Sequence, residues 1–293
     1  VVGYGTQKKA NLTGAVDQVS SELLENRPVA NVTQMLQGAV PNLNISLADG
    51  KPNRSASYNI RGKTSIGAGG SALVLIDGVE GDINQINPKD IESMSVLTGA
   101  SAAALYGSSA ANGAIMITTK KGQAGTFSAS YSNHTDFLKP FVMPKFQNCY
   151  GTGSYGKPSG SPIYSWGEKL PDAARTGYTP DDFFETGHVY TNAVTVSGGT
   201  DKNQTYFSAA SVNSDGIIPN NEYDRYNFTF RNTSYFLKDK LRLDASASYI
   251  YQQDQNMTNQ GVYSNPLVPA YLFPRGTNFD SYRIFERYNP ASK

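Results

Sequence analysis

The sequence predicts a small mixed α/β module followed by antiparallel strands of a transmembrane β-barrel. Up to about residue 122, short apolar segments are interspersed with helix and turn signals. From about residue 126, apolar side chains recur at every second position. The connections between these later segments are short at one end and very long at the other, as in outer-membrane barrels. Alternation alone would also suit a soluble β-sandwich, although sandwich connections are usually shorter.

The composition of the 293 residues excludes several classes of function. A net charge of +1 gives no electrostatic footprint for binding nucleic acid. Cys149 is the single cysteine, so the chain has neither an internal disulfide nor a cysteine-built metal site. No apolar run approaches the roughly 18 residues of a membrane helix. The chain begins without Met or a signal-peptide pattern, and we expect it to be mature or truncated.

Residues 1–122 form the first predicted domain. Val32, Met35 and Leu36 lie on one face of a predicted helix within 20–40, which Gly38 ends. Asn87 and Pro88 predict the start of a second helix, as cap and first helical residue. Short strands are predicted at 43–47, 57–62, 72–81, 93–99 and 112–121, and the strand at 72–81 breaks at the turn signal Asp77-Gly78.

Residues 123–293 form the second predicted domain, whose strands have one apolar and one polar face. Tyr226, Phe228 and Phe230 alternate with polar residues within 225–232, and 126–137 and 241–251 show the same period. Tight turns are predicted at 198–204 and 237–241. Very long connections are predicted at 139–188 and after Gln252. Short turns at one end and long loops at the other favour the barrel.

Four stretches together resemble the SusC-like TonB-dependent outer-membrane transporters: 1–16, 59–65, 72–122 and 213–228. The resemblance implies that 1–122 is a plug domain inside a barrel lumen and that 123–293 is the first part of the barrel. Outer-membrane transporters with a plugged lumen have about 22 strands. The sequence contains roughly five strands, and open sheet edges do not occur in hydrocarbon. We therefore expect this chain to be a fragment of a longer polypeptide.

The resemblance also implies a function. It predicts active import of oligosaccharides or oligopeptides across the bacterial outer membrane, without catalysis and without a cofactor. The implied partners are a SusD-like surface lipoprotein, TonB of the inner-membrane energy-coupling complex, outer-membrane lipid, and a second transporter–lipoprotein pair forming a dimer. Three alternatives remain: a siderophore-type TonB-dependent receptor, a surface binding barrel that does not transport, and a soluble β-rich carbohydrate-binding protein or enzyme.

Candidate site residues come partly from this resemblance and partly from aromatic chemistry. The resemblance places Arg54, Arg61 and Tyr106 near the ligand, and Val1 and Val2 in the tail of the energy-coupling box. Aromatic rings in the long connection suit stacking on sugars, and we predict them as ligand contacts: Tyr150, Tyr155, Tyr164, Trp166 and Tyr178.

A weak calcium motif spans residues 211–222. Asn213, Asp215 and Glu222 occupy positions three, five and twelve of an EF-hand loop. Ser211 replaces the usual Asp at position one, and no flanking helices are predicted. A hairpin connection is therefore the alternative reading of this segment.

Overall fold

The computed structural model describes residues 16–20, 32–36, 38, 40–41, 43–46, 57–60, 71–155, 157–158, 164–174, 178–257 and 265–279. These residues fold as two compact units. Unit one contains the described parts of Val1–Phe137, His188–Asp215 and Glu222–Gln255. Unit two contains those of Leu138–Gly187, Gly216–Asn221 and Asn256–Lys293.

Unit one begins with an α/β module that ends at residue 119. Its elements are β1 (Val16–Ser20), α1 (Val32–Leu36), β2 (Leu43–Ser46), β3 (Ser57–Ile60), β4 (Leu73–Ile76), β5 (Val79–Glu80), β6 (Ile91–Leu97), α2 (Gly99–Tyr106) and β7 (Ala114–Thr119). The central sheet has the order β1-β6-β7-β4-β5, in which only the β4–β7 pair is parallel. The separate hairpin β2–β3 is antiparallel.

Both faces of the central sheet are buried. Ile115 and Ile117 of β7 pack with Val32 and Leu36 of α1 in the larger core cluster. The alternate residues of β7 pack with Ala102 of α2 and Ala110 of the helical turn after it in the smaller cluster, against which the half-buried Tyr106 also packs. Because alanine is small, this second layer lies close to the sheet.

The module differs from the sequence prediction at two places. Asn87 and Pro88 do cap a turn, but it is only the single 3-10 turn Pro88–Asp90, and β6 follows at once. Ile91, Met94 and Val96 are buried in the sheet, so tertiary burial overrides the capping signal. The helix Gly99–Tyr106 was not predicted, because its run of small residues has almost no amphipathic period.

The rest of unit one is an antiparallel sheet, which we call the wall. Its strands are β8 (Ser128–Leu138), β11 (Gly187–Thr200), β12 (Asn203–Asp215), β13 (Glu222–Phe236) and β14 (Leu241–Gln255), in the order β14-β13-β12-β11-β8. Two residues join β11 to β12, and 237–240 join β13 to β14. Three residues of the latter turn have positive φ, beginning at Leu237. The predicted tight turns are confirmed.

The two faces of the wall differ as the alternation predicted. Phe207 lies opposite Phe230, and Phe228 opposite Tyr249, with their rings 40–63% exposed on the face away from the module. The other face carries polar side chains that contact the module. Across the part of the chain that the structure describes, no helix is long and apolar enough to cross a membrane.

Unit two contains the hairpin β9–β10 (Gly153–Ser154 and Lys157–Pro158) and helix α3 (Leu267–Leu272). Tyr178 is 1% exposed and donates its hydroxyl to the carbonyl of Ala270 at 2.8 Å. Its ring packs against Phe273 and Phe279 at centroid distances of 4.7 and 4.5 Å. Unit two therefore has an aromatic core of its own.

Candidate functional site

Polar contacts between the α/β module and the wall form a seam within unit one. Strands β12 and β13 contribute the wall side of this seam. The turns after β4, before β6 and at the end of β7 contribute the module side. The seam consists of three clusters of hydrogen bonds.

The first cluster surrounds Asp90, a carboxylate that is 3% exposed. The Asn87 side chain accepts the amide of Lys89 at 3.1 Å and so fixes the turn that presents Asp90. Tyr206 and Ser208 of β12 donate their hydroxyls to the two carboxylate oxygens at 2.9 and 2.8 Å. Burial raises the pKa of the Asp90 carboxyl above its ordinary value, although the surrounding hydroxyl donors oppose that rise.

The second cluster is centred on Arg231 of β13, whose side chain is 8% exposed. It pairs with Asp244 of β14 through two parallel bonds, Nε–Oδ1 at 3.0 Å and Nη2–Oδ2 at 2.9 Å. Its third nitrogen, Nη1, donates to Asp77 Oδ2 at 2.8 Å and to Thr119 Oγ1 at 2.6 Å. One guanidinium therefore holds a carboxylate of the wall and one of the module.

Local backbone geometry places Asp77 for this contact. Asp77 and Gly78 have φ angles of 49° and 91°, the left-handed pair that a tight hairpin turn requires. Asp77 also accepts the Thr119 amide at 3.0 Å, which joins the turn to the end of β7. The Asp-Gly turn that the sequence indicated thus positions a carboxylate at the seam.

The third cluster uses backbone carbonyls of the module. Arg225, which is 2% exposed, donates Nη1 to the Asn84 carbonyl at 3.0 Å. Asn227 donates its amide to the Gln85 carbonyl at 3.2 Å. Both carbonyls lie at the end of the 3-10 turn Ile83–Gln85, where backbone acceptors lack helical partners.

Backbone hydrogen bonds and close packing hold the segment 120–125, which joins the module to the wall. The Lys120 amide donates to the Asp90 carbonyl at 2.8 Å, and the Gly125 amide to the Gly199 carbonyl at 3.0 Å. A Cβ at Gly122 would lie 2.5 Å from the backbone nitrogen of Thr205. Only glycine fits so close to β12 without displacing the backbone.

The structure brings two of the predicted ring contacts together in unit two. Tyr150 and Trp166 are 38% and 60% exposed, with centroids 6.1 Å apart and planes tilted by 43°. Gln147 braces the turn beside them, because its side chain accepts the Tyr150 amide at 2.9 Å and donates to the Ser165 carbonyl at 2.6 Å. Tyr155 is 97% exposed and has a positive φ of 55°.

The other predicted site residues have different outcomes. Tyr178 packs the interior of unit two, so its prediction as a ligand contact is wrong; burial removes its ring from any ligand. Tyr106 is half-buried at the end of α2, where its hydroxyl points to Met116 Sδ at 4.0 Å. Tyr164 is 57% exposed in unit two. The remaining candidates lie outside the described residues: Val1, Val2, Arg54 and Arg61.

The calcium motif does not form a calcium loop. Asn213 pairs with Asp224, and Asp215 with Glu222, across the extended strands β12 and β13. The Asn213 amide donates Nδ2 to Asp224 Oδ1 at 2.6 Å, so the side chain is engaged in the sheet. An EF-hand loop instead wraps its ligands around one ion. Within the described ranges, no three His, Cys, Asp or Glu side chains cluster to hold a metal.

Sequence reasoning missed the carboxylates and arginines of the seam as functional residues. The alternation of apolar and polar residues assigned Arg225 and Arg231 to the polar face of a strand. That alternation does not show which residues of the polar face contact the module. Arg275 of unit two was missed as well. It is 6% exposed, lies 4.9 Å from the centroid of the Phe146 ring, and has its pKa lowered by burial.

Comparisons with known proteins agree with this architecture. The family profile of the TonB-dependent receptor plug domain matches residues 8–114. The TonB-dependent receptor SusC of Bacteroides thetaiotaomicron is 30% identical over 98% of this chain and 29% of its own length. The TonB-dependent receptor P39 of Formosa agariphila is 30% identical over 100% of this chain, again 29% of its length. The chain thus spans less than a third of these relatives.

Solved structures show the same fold. The RagAB peptide importer in its open-open state superposes with a TM-score of 0.75 at 24% identity, covering 95% of this chain and 35% of that chain. The siderophore receptor PirA of Acinetobacter baumannii gives a TM-score of 0.52 at 20% identity, covering 85% and 32%. The α/β module and the wall are the plug and part of the β-barrel of an outer-membrane receptor fold.

The chain belongs to the SusC-like TonB-dependent receptors. The module is their plug domain, and the antiparallel wall belongs to their barrel.

Proposed function

We propose that the protein to which this chain belongs imports oligomeric nutrients across the bacterial outer membrane by TonB-dependent active transport. The main observation that supports this proposal is the seam. A polar module is hydrogen-bonded to the polar face of a wall whose other face is apolar, which is the arrangement of a stopper inside a membrane barrel. Such a contact closes a wide lumen and still allows separation, because its groups are ones that water can also pair.

The family relationship supports the finer parts of the proposal. We infer a division at residues 1–122 and 123–293, a SusD-like lipoprotein as partner, a dimer of such pairs, and location in the outer membrane. The cargo would be oligosaccharides or oligopeptides; the RagAB importer, described as a peptide importer, shares the fold. A siderophore receptor is less favoured, since the TM-score with PirA is lower.

The exposed pair Tyr150 and Trp166 would contribute to cargo recognition. Tyr and Trp rings offer an apolar face on which sugar or peptide groups can pack. The hydroxyl of Tyr and the ring N–H of Trp can form hydrogen bonds with polar groups of the same cargo. Their support by Gln147 keeps them in place without cargo, which limits the entropy lost on binding. We include Tyr106, Tyr155, Arg54 and Arg61 as further candidate contacts.

Uptake by cells that carry the full-length gene and its lipoprotein partner tests the proposed function. Labelled oligosaccharides and oligopeptides should enter the periplasm, and a protonophore or loss of TonB should abolish entry while surface binding remains. Surface binding without energy-dependent entry would contradict import and support a binding barrel. Mass spectrometry of the complex purified in mild detergent would identify retained cargo and the partner.

A further inference from the structure

A cavity lies within the seam, between the module and the middle of strands β13 and β14. Its volume is about 530 Å³, within the roughly 300–1,000 Å³ that is typical of small-molecule pockets. The module lines it with β5, with the turns on either side of β5 and with the end of β7. The wall lines it with the polar face of β13 and β14. We call this space the seam cavity.

Two buried side chains that line the seam cavity each have a polar atom without a hydrogen-bond partner among the described residues. Asn87 of the module and Asn227 of the wall are both 4% exposed. The Asn87 oxygen accepts the Lys89 amide, so its unpartnered atom is the donor Nδ2. The Asn227 nitrogen donates to the Gln85 carbonyl, so its unpartnered atom is the acceptor Oδ1. Because native proteins seldom leave buried polar atoms unpaired, this donor and this acceptor point to a bound molecule.

The rest of the lining is rich in oxygen atoms and negative in charge. Both sides of the cavity contribute hydroxyls: Thr119, Thr229, Ser246 and Ser248. The carboxyl groups of the lining are those of Asp77, Glu80, Asp90 and Asp244. Among the described lining residues Arg231 is the one cation, and it already pairs with Asp77 and Asp244. Such a lining repels an anion, whereas a neutral molecule with many donors finds acceptors on every side.

A saccharide matches this lining better than a peptide does. Each sugar hydroxyl is both a donor and an acceptor, so one ligand can pair with Asn87 Nδ2, with Asn227 Oδ1 and with the hydroxyls around them. A peptide unit supplies only one N–H for each residue. The CH groups of a sugar ring can pack on the apolar part of the lining, which comes from Ile76, Ile86 and Ile250.

We propose that the seam cavity binds a neutral mono- or disaccharide unit, which pairs with Asn87 of the module and Asn227 of the wall. This inference rests on the proposed import function and adds a binding place deep in the seam to the exposed rings of the long connection. A saccharide bound there contacts the module and the wall together. It therefore stabilises their contact by mass action until the module moves.

A labelling experiment on the purified full-length protein tests the seam cavity without requiring transport. Ser248→Cys places a thiol in the lining, in a Cys149→Ser background that removes the exposed native thiol. The neutral probes are maltose, cellobiose and lactose, and the comparison probes are digalacturonate and trialanine, all at millimolar concentration. At least one neutral probe should slow labelling roughly fivefold, as an occupancy of about 80% requires. Digalacturonate and trialanine should leave the rate unchanged, and so should every probe for Asp201→Cys at an exposed turn outside the cavity.

Asn87→Asp tests whether the unpartnered donor contributes to binding. The substitution keeps an oxygen that accepts the Lys89 amide, so the turn is retained, but it replaces the Nδ2 donor by an acceptor. Protection by the neutral probes should be lost. Asn44→Asp, the same change at an exposed position of the module outside the cavity, should leave protection unchanged. If the thermal midpoint shows that Asn87→Asp disturbs the fold, Ser246→Ala removes a hydroxyl from an exposed strand position and should reduce protection about threefold.

Four results would overturn the proposal. Protection by none of the neutral probes would indicate a cavity that holds water only. Equal protection by digalacturonate would refute the argument from charge, and equal protection by trialanine would assign the cavity to peptides. Full protection in a folded Asn87→Asp variant would place the probe elsewhere. Energy-dependent uptake without protection would still support import, whereas protection without uptake would support a saccharide site in a barrel that does not transport.

Discussion

Replacement of Arg231 by Gln tests how much the shared guanidinium contributes to holding the module. Arg231 is buried and bonds to Asp77 and Asp244, whereas Arg242 is 48% exposed and bonds to Asp244 only. Breaking a buried ion pair by removing one partner costs about 3–5 kcal/mol. Asp244 would keep Arg242 and lie 4.0 Å from Lys121. Because these cations remain near Asp244, we expect a loss just below that range, about 2–3 kcal/mol.

Hydrogen exchange of the Thr119 amide in the full-length protein measures this loss. That amide is bonded to Asp77 and is exposed to exchange when the module opens locally. Arg231→Gln should raise its opening equilibrium by roughly 30- to 150-fold, because about 1.4 kcal/mol corresponds to a factor of ten. Arg242→Gln, the matched control, should lower stability by less than about 1 kcal/mol. Equal effects of the two variants would refute the assignment of Arg231 as the central contact.

Three further predictions concern packing and pH. Gly122→Ala should lower the thermal midpoint of the full-length protein in detergent, because its Cβ overlaps the wall backbone, while Gln123→Ala at the exposed neighbouring position should not. Tyr178→Ala should cost about 3–5 kcal/mol of local stability and expose unit two to protease, whereas Tyr155→Ala should leave protease resistance unchanged. The pKa of Asp90 is raised on folding, so its contribution to stability is full below 3.8, the ordinary value, and is lost as pH rises through the folded pKa. Exchange of module amides between pH 4 and pH 8 should show this loss, and Asp90→Asn should flatten it; an unchanged slope would contradict the burial of the carboxyl.

The wall was predictable because its signal is local. The alternation of apolar and polar residues in 225–232 and 241–251 determines which face of β13 and β14 each side chain occupies. A slip of one residue in the strand register would move the aromatic rings to the polar face. The turn at Asp77 and Gly78 was also recognisable from two residues. In these places the chain's short-range preferences and the tertiary structure agree.

The seam was less predictable because it joins residues far apart in sequence. Tyr206 and Asp90 are separated by 116 positions, and no spacing rule connects them. Likewise, Tyr178 and Tyr150 are both tyrosines of the same long connection, and the sequence does not distinguish them. Only the packing of the structure shows that Tyr178 is buried and Tyr150 is exposed. The helix predicted to start at Pro88 is only a short turn, because burial of the residues that follow favours a strand.

Disulfide cross-linking in living cells tests the central claim, that the polar face of the wall holds the plug module. Asp90→Cys with Ser208→Cys, in a Cys149→Ser full-length protein, places two thiols where hydrogen-bonded oxygens lie 2.8 Å apart. Asp90→Cys with Ala209→Cys is the matched control, because Ala209 lies on the opposite face. We expect rapid cross-linking of the first pair only, with import blocked until the bond is reduced. Cross-linking of the 90/209 pair, or of neither pair, would contradict it.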